Sequence, residues 1–572
     1  MTHPTSPHLG QQPRKARIIG RFARDEGGAL IIFTLMLFVL MVMMGGMAVD
    51  LMRYEATRTA LQQVSDRSVL AAAALSQDLD REGVVEDYFD KEGFSAYLVD
   101  VSSDEGLNFA NVAVTAEVPL QPFFMHMLGI DNLNAPAASA AEQRITNVEI
   151  AMVLDVSRSM VVTPSRIVNL KSAAREFVRT VRGNDPENRI SISLVPYNGQ
   201  VNLGQTLREK YNETHVHGMT DVNCLDLPTN TFSAPGLSRS TALAMTPHAD
   251  AYSSSDNTNG FVSFTSTDYA IPNPLNRWCP PMPDNIVRVH QNNVETLEAQ
   301  IEALDAIGAT SIDLGMKWGA VMLDPGTRGI VTEMVNAGQV PAVFAGRPFD
   351  YTDREAMKVI VLMTDGENFD ETRIRDAYRT GDSTIWRGNS DNNYSAFHAS
   401  RVSTNTSTAI CNSRPFYVPH RNQWHSRPWN GTVPSSTACY SQTATYTGVT
   451  RQTWQQLWSN QRVSWVAWQL YARALGGTNS GNRNTQYNTW MNNFREVIDS
   501  TDMDDRLQDI CNSVKANNVI VFGIAFEATS HGINTVRNCA TSNSHFFDAD
   551  GLEIATAFRA IASQISTLRL TQ

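Results

Sequence analysis

The sequence predicts an α/β protein, a mostly parallel sheet with helices on both faces, preceded by one membrane-crossing helix. Three observations carry that expectation. An uncharged apolar run, GGALIIFTLMLFVLMVMMGGMAV, extends from Gly27 to Val49. From residue 148 onward, short apolar runs alternate with segments of helical period, the pattern of parallel strands buried on both sides. The chain of 572 residues is long enough for several folded units, and 42% hydrophobic against 18% charged residues excludes a disordered or fibrous class. A net charge of −12 also excludes a dedicated nucleic-acid binder, because displacing phosphate counterions needs a basic face.

Residues 1–26 read as a basic cytoplasmic tail. Arg14, Lys15, Arg17, Arg21 and Arg24 precede the apolar run, and no acid appears before Asp25. This bias leaves the N-terminus inside and sends everything after Asp50 across the membrane. Residues 27–49 would rise roughly 34 Å as a helix, enough to span a bilayer. A cleaved signal peptide is the alternative: Gly46-Met47-Ala48 is a passable cleavage site, but the run is longer than such peptides use. Residues 50–80 continue as a helical stalk, with Leu51, Tyr54, Leu61, Val64, Val69 and Ala72 near helical spacing and no Gly or Pro up to residue 76. Residues 81–147 shorten into strand-like pieces such as 111–118, broken by Pro119, Pro122 and Pro136, and read as a small α+β module.

Residues 148–572 form the large α/β domain. VEIAMVLDVS and RISISLVPYN are strands flanking an amphipathic helix from Ser165 to Val181. Residues 294–304 and 312–322 are helical in pattern, 358–363 and 519–526 are buried strands, and 552–565 form a closing helix. Two insertions interrupt this scheme, at about 205–290 and 370–500, both polar, aromatic and too long for ordinary connections. The six cysteines lie beyond the anchor, where thiols would be oxidised, and form no CxxC pair for a zinc ribbon. Nearest-neighbour pairing, Cys224 with Cys279, Cys411 with Cys439 and Cys511 with Cys539, is the parsimonious choice among fifteen connectivities. In the second insertion Trp454, Trp458, Gln461, Trp465, Trp468, Ala472 and Leu475 follow heptad spacing. They read as one helix face packing the insertion onto the sheet, with an exposed surface for carbohydrate or protein as the alternative. Residues 499–505 and 548–551 read as helix caps.

The first strand of the large domain runs into Asp155-Val156-Ser157-Arg158-Ser159, at the carboxyl edge where open α/β sheets bind ligands. Three oxygen side chains at alternate positions can converge on a hard divalent cation, although the pentapeptide alone also reads as a capped helix start. Thr310 precedes a helix, and Thr364-Asp365-Gly366 ends a second buried strand. Strand-DxSxS, Thr before a helix, then strand-TDG resembles the von Willebrand factor A fold with its metal-ion-dependent adhesion site. That resemblance implies that Asp155, Ser157, Ser159, Thr310 and Asp365 surround Mg²⁺ (or Mn²⁺ or Ca²⁺), directly or through water, leaving a position for an acidic residue of a partner. The chain departs from the family in size, and the second insertion directly follows Asp365, where it can cap the site. The basic tail, a helix ending in Ala48-Val49-Asp50, the stalk and the Ala71–Ala74 run are similar to the N-terminal region of TadG-like proteins of Flp (Tad) pilus assembly systems. This second resemblance implies a single-pass protein of the bacterial inner membrane with a periplasmic bulk. It would interact with pilus-system or envelope proteins in assembly, anchoring or adhesion. A structural envelope protein whose metal only stabilises the fold is the alternative; a hydrolase is less favoured, since GxSxG, HExxH, GxGxxG and GxxxxGK[ST] are absent.

Overall fold

The computed structural model describes residues 27–74, 79–105, 109–144, 147–163, 165–183, 185, 187–251, 272, 276–353, 356–403 and 409–570. The basic tail, part of the first insertion and the last two residues lie outside the described residues. Two compact units divide the chain between Ile145 and Thr146.

In the first unit, the apolar run and the stalk are one unbroken helix, α1 (Gly27–Ala72). Its N-terminal half is exposed and strongly apolar, long enough to cross a membrane by length and composition. Its C-terminal half turns Leu61, Val64, Val69 and Ala72 inward. They pack on a second helix, α2 (Arg81–Lys91), and on an antiparallel sheet of β1 (Leu98–Glu105), β2 (Phe109–Leu120) and β3 (Leu133–Arg144) in that order. Strand β2 shows the period of a half-buried strand, with Val112, Val114, Ala116 and Val118 buried on one face. Helix α1 stops at Ala72, short of residue 80, and α2 restarts with the Asp80 carboxylate accepting from the Gly83 amide.

The second unit is built on a six-stranded sheet. Its strands are β4 (Asn147–Asp155), β5 (Ile190–Tyr197), β6 (Arg288–Gln291), β7 (Ala356–Thr364), β8 (Ile520–Phe526) and β9 (Phe546–Ala549). The spatial order is β9-β8-β7-β4-β5-β6, parallel throughout except for β6. The helices include α3 (Ser165–Gly183), α4 (Val294–Ala303), α5 (Ile312–Leu323), α6 (Ser500–Ala516), α7 (Ser530–Cys539) and α8 (Glu553–Leu570). Alternate residues of the central strands feed two cores. Ile150, Met152 and Leu154 join α3, α4 and α8 on one face; Ala151 and Val153 join α5 and α6 on the other. Helix α5 lies so close that a Cβ at Gly319 would meet Val153 at 2.5 Å. Strands β6 and β9 have no counterpart in the sequence reading, because runs of four residues carry too little periodicity.

The first insertion forms one sheet of its own and the second forms two, one of them the pair Glu371–Ile374 with Arg495–Ile498. Residues 212–245 contribute three short strands, and residues 382–453 five. The tryptophan-rich segment differs from expectation. Helix Trp454–Asn460 ends at Gln461, and the Val463 amide leaves the helical ladder to donate to the Asp250 carbonyl of the first insertion. A second helix then widens into a π-turn over Ala467–Ala472, so the heptad spacing does not map onto one face. Trp454, Trp458 and Trp465 are buried, but against Ile374, Ile385, Phe494, Ala249 and Ala251 in a core shared by the two insertions, not against the six-stranded sheet. All six cysteines are bonded, Cys224 to Cys279, Cys411 to Cys439 and Cys511 to Cys539.

Candidate metal centre

Strands β4 and β7 are parallel neighbours, with Leu154 opposite Met363, so the loops carrying Asp155 and Asp365 leave the same edge of the sheet side by side. Asp155 is fully buried. Its Oδ1 accepts from the Ser157 amide at 2.8 Å and its Oδ2 from the Thr364 hydroxyl at 2.8 Å. The Ser157 and Ser159 hydroxyls are 2.8 Å apart, and Ser159 donates to Asp365 Oδ1 at 2.6 Å. Four of the five expected residues thus form one hydrogen-bonded chain. Thr310 stands apart from that chain but lines the same cleft as Ser159, and its carbonyl accepts from the Phe369 amide at 2.9 Å. The cleft measures about 310 Å³ and is walled by Arg158, Arg277, Trp278 and Phe369.

Burial pushes the Asp155 carboxyl up to about 7, with the charge of Asp365 adding to the effect and the bonds from Ser157 and Thr364 opposing it. Burial also raises Asp365, against the pull of Ser159 and Arg166. Tyr197 is raised by its own burial and then by the charge of Asp155, while its hydroxyl donates to the Met363 carbonyl at 3.0 Å. Arg166 donates to Asp365 Oδ2 at 3.0 Å and to Glu527 Oε2 at 2.7 Å. The sequence reading names Thr364 only as part of its TDG motif and gives no site role to Arg166, Glu527 or Tyr197. Only Arg166 left a trace, as a cation in the first turn of a helix, where the dipole disfavours positive charge. Glu527 holds a left-handed φ of 50°, a conformation a non-glycine residue keeps only when its surroundings impose it. The loop after Asp365 sits on the start of α7, where a Cβ at Gly532 would fall 2.1 Å from the Gly366 carbonyl oxygen.

The donor set suits a hard divalent cation: two buried carboxylates that repel each other, two hydroxyls, and one guanidinium to balance them. Among the described residues no group of three or more His, Cys, Asp or Glu side chains is arranged to hold a metal, so a cation here would depend on the serine oxygens. Behind the site runs a buried ion network. Arg506 lies 2.7 Å from Asp313 and 3.0 Å from Glu371; Arg373 pairs with Glu371 at 2.7 Å, and Arg379 with Asp226 of the first insertion at 2.6 Å.

Residues 27–75 match the family model described as putative Flp pilus-assembly TadE/G-like. The N-terminal helix is similar to that TadE/G-like segment. This TadE/G-like match covers α1 and ends just beyond it. No curated protein shows significant sequence similarity to the chain. Among solved structures, the chain is similar to the vWF domain of the type V pili tip protein Mfa5 from Porphyromonas gingivalis, with 13% identity, a TM-score of 0.30, and coverage of 75% of this chain and 97% of that one. It is similar to the pilus adhesin SpaC from Lactobacillus rhamnosus GG, with 10% identity, a TM-score of 0.29, and coverage of 81% of this chain and 34% of that one. For the adhesive tip pilin GBS104 from Group B Streptococcus agalactiae the figures are 9% identity, a TM-score of 0.28, and 74% and 99% coverage.

Proposed function

We propose that this is a membrane-anchored, periplasm-facing component of a Tad/Flp pilus system that recognises protein partners through a divalent-cation centre on a von Willebrand factor A-type domain. The family match over residues 27–75 supports the pilus assignment, and the exposed apolar half of α1 supports the anchor. The observation that carries the recognition site is the convergence of Asp155, Ser157, Ser159 and Asp365 from adjacent strand ends beside an open cleft. Asp155, Ser157, Ser159 and Asp365 would hold Mg²⁺, Mn²⁺ or Ca²⁺, with Thr310 contributing from the cleft wall. When bound, the cation offers an exchangeable coordination position to an acidic side chain. The chain itself orients that site: Thr364 fixes the Asp155 carboxylate, and Arg166 holds Asp365 from the side away from Ser159. This is binding chemistry, and the protein works as a recognition component rather than an enzyme.

Thermal unfolding of the full chain in detergent tests the centre, with Mg²⁺, Mn²⁺ or Ca²⁺ titrated after EDTA treatment. At 100 times Kd the cation should stabilise the wild type by about 2.7 kcal/mol and leave Asp155→Ala unchanged. No response in the wild type would overturn the metal centre. Equal responses in both proteins would place the cation elsewhere.

A further inference from the structure

The connection between β2 and β3 returns to α1 where its apolar run ends. There Asp50 is buried and accepts backbone N–H bonds from Phe123 at 2.9 Å, Phe124 at 2.7 Å and Met125 at 2.8 Å. The Arg53 guanidinium lies 4.0 Å over the Phe123 ring, and Phe124 occupies the space left by Gly46, where a Cβ would come within 2.3 Å of the ring. Three donors on one carboxylate, a cation over one ring and a missing side chain under the other fix the height of this loop along the helix. Its other side chains nevertheless face outward. Phe123 is 67% exposed, Met127 78%, Leu128 48% and Ile130 41%, with the His126–Asp131 pair at 2.9 Å also exposed among them.

We propose that the loop at 121–132 dips into the interfacial layer of the bilayer that α1 crosses, giving the module a second attachment to the membrane surface. This rests on the reading of α1 as an anchor. An apolar run of residues 27–49 rises roughly 34 Å against a hydrocarbon core of about 30 Å, which brings Gly46 to Asp50 to the boundary. A loop clamped at that height carries its Phe, Met, Leu and Ile side chains into the zone where apolar groups leave water. The Asp50 carboxylate does not oppose this, because both of its oxygens are spent on backbone amides that would otherwise lack partners. Asp50 thus ends the spanning segment and positions the loop beside it.

The test uses the full chain in phosphatidylcholine–phosphatidylglycerol vesicles, spin-labelled at single introduced cysteines. Among the described residues no free cysteine competes for label. Val39→Cys reports on the helix, Met127→Cys on the loop, and Asn111→Cys, about 30 Å back along β2, on the aqueous side. Collision with oxygen, which partitions into lipid, is compared with collision with a water-soluble nickel chelate. The expected result is an oxygen-to-nickel ratio several-fold higher at Val39 and Met127 than at Asn111, with Asp50→Ala returning Met127 to the Asn111 value. Lipid exposure at Val39 with an aqueous signature at Met127 would overturn the loop and keep the anchor. An aqueous signature at Val39 would overturn both. Shielding of Met127 from both reagents would mean that protein covers it, and would also overturn the proposal.

Discussion

At the scale of single residues, His290 is the clearest case of chemistry imposed by burial. Its Nδ1 lies 3.0 Å from the Ser191 hydroxyl, which also accepts from Arg347 at 2.9 Å. Burial, reinforced by the charges of Arg347 and Lys358, holds its imidazole down to about 3 from an ordinary 6.5. The unfolded chain therefore takes up a proton that the native state refuses between those values. Stability is retained above pH 6.5 and lost as pH falls toward 3, at a limiting slope of about 1.4 kcal/mol per pH unit for this one group. We expect His290→Asn to flatten the acid limb by that slope, measured as urea unfolding free energy from pH 7.5 to 4. Among the residues of the candidate centre, legibility divides by type of signal. Asp155, Ser157, Ser159 and Asp365 could be found because spacing along the chain mirrors position at the ends of β4 and β7. Glu527 and Tyr197 could not, because no motif marks them: they stand at the ends of the neighbouring strands β8 and β5, and only the strand order of the sheet brings them to the site.

At the scale of elements, α6 joins α5 to the second insertion through Arg506. Its guanidinium is buried between Asp313 of α5 and Glu371, beside the ring of Phe232. Burial pushes Asp313 up to about 7 even with Arg506 opposing it. Removing the arginine strands Asp313 in a low-dielectric interior while Glu371 keeps Arg373, a loss of about 3–5 kcal/mol. We expect Arg506→Met to lower the melting temperature accordingly, and Asp313→Asn in the same chain to recover part of the loss. The long elements were legible because their periods are strong: α3, α5, β4, β7 and β8 lie where alternating apolar runs put them. The tryptophan segment was misread for a physical reason. Heptad spacing assumes an unbroken helix, and here the chain turns extended at Gln461 and Arg462, where the Val463 N–H donates a hydrogen bond to the Asp250 carbonyl instead. No local pattern encodes a partner that is more than two hundred residues away in sequence.

At the scale of the whole molecule, the three disulfides differ in access. Cys224, Cys279, Cys511 and Cys539 are buried, whereas Cys411 and Cys439 are exposed. Graded reduction followed by alkylation and mass spectrometry should therefore open the 411–439 bridge first, before any loss of tertiary structure. Opening the 511–539 bridge, which ties α6 to α7 across 28 residues, should cost roughly 3.5 kcal/mol and coincide with unfolding. The core that holds Ala249 and Ala251 against the tryptophans carries a further consequence. The first insertion lends Ala249 and Ala251 to the aromatic interior of the second while its Leu225, Phe232 and Met245 fill the core of the six-stranded sheet, so it is no detachable ornament. A relative that lost the first insertion would expose the aromatic interior of the second to water, and should therefore lack the second as well.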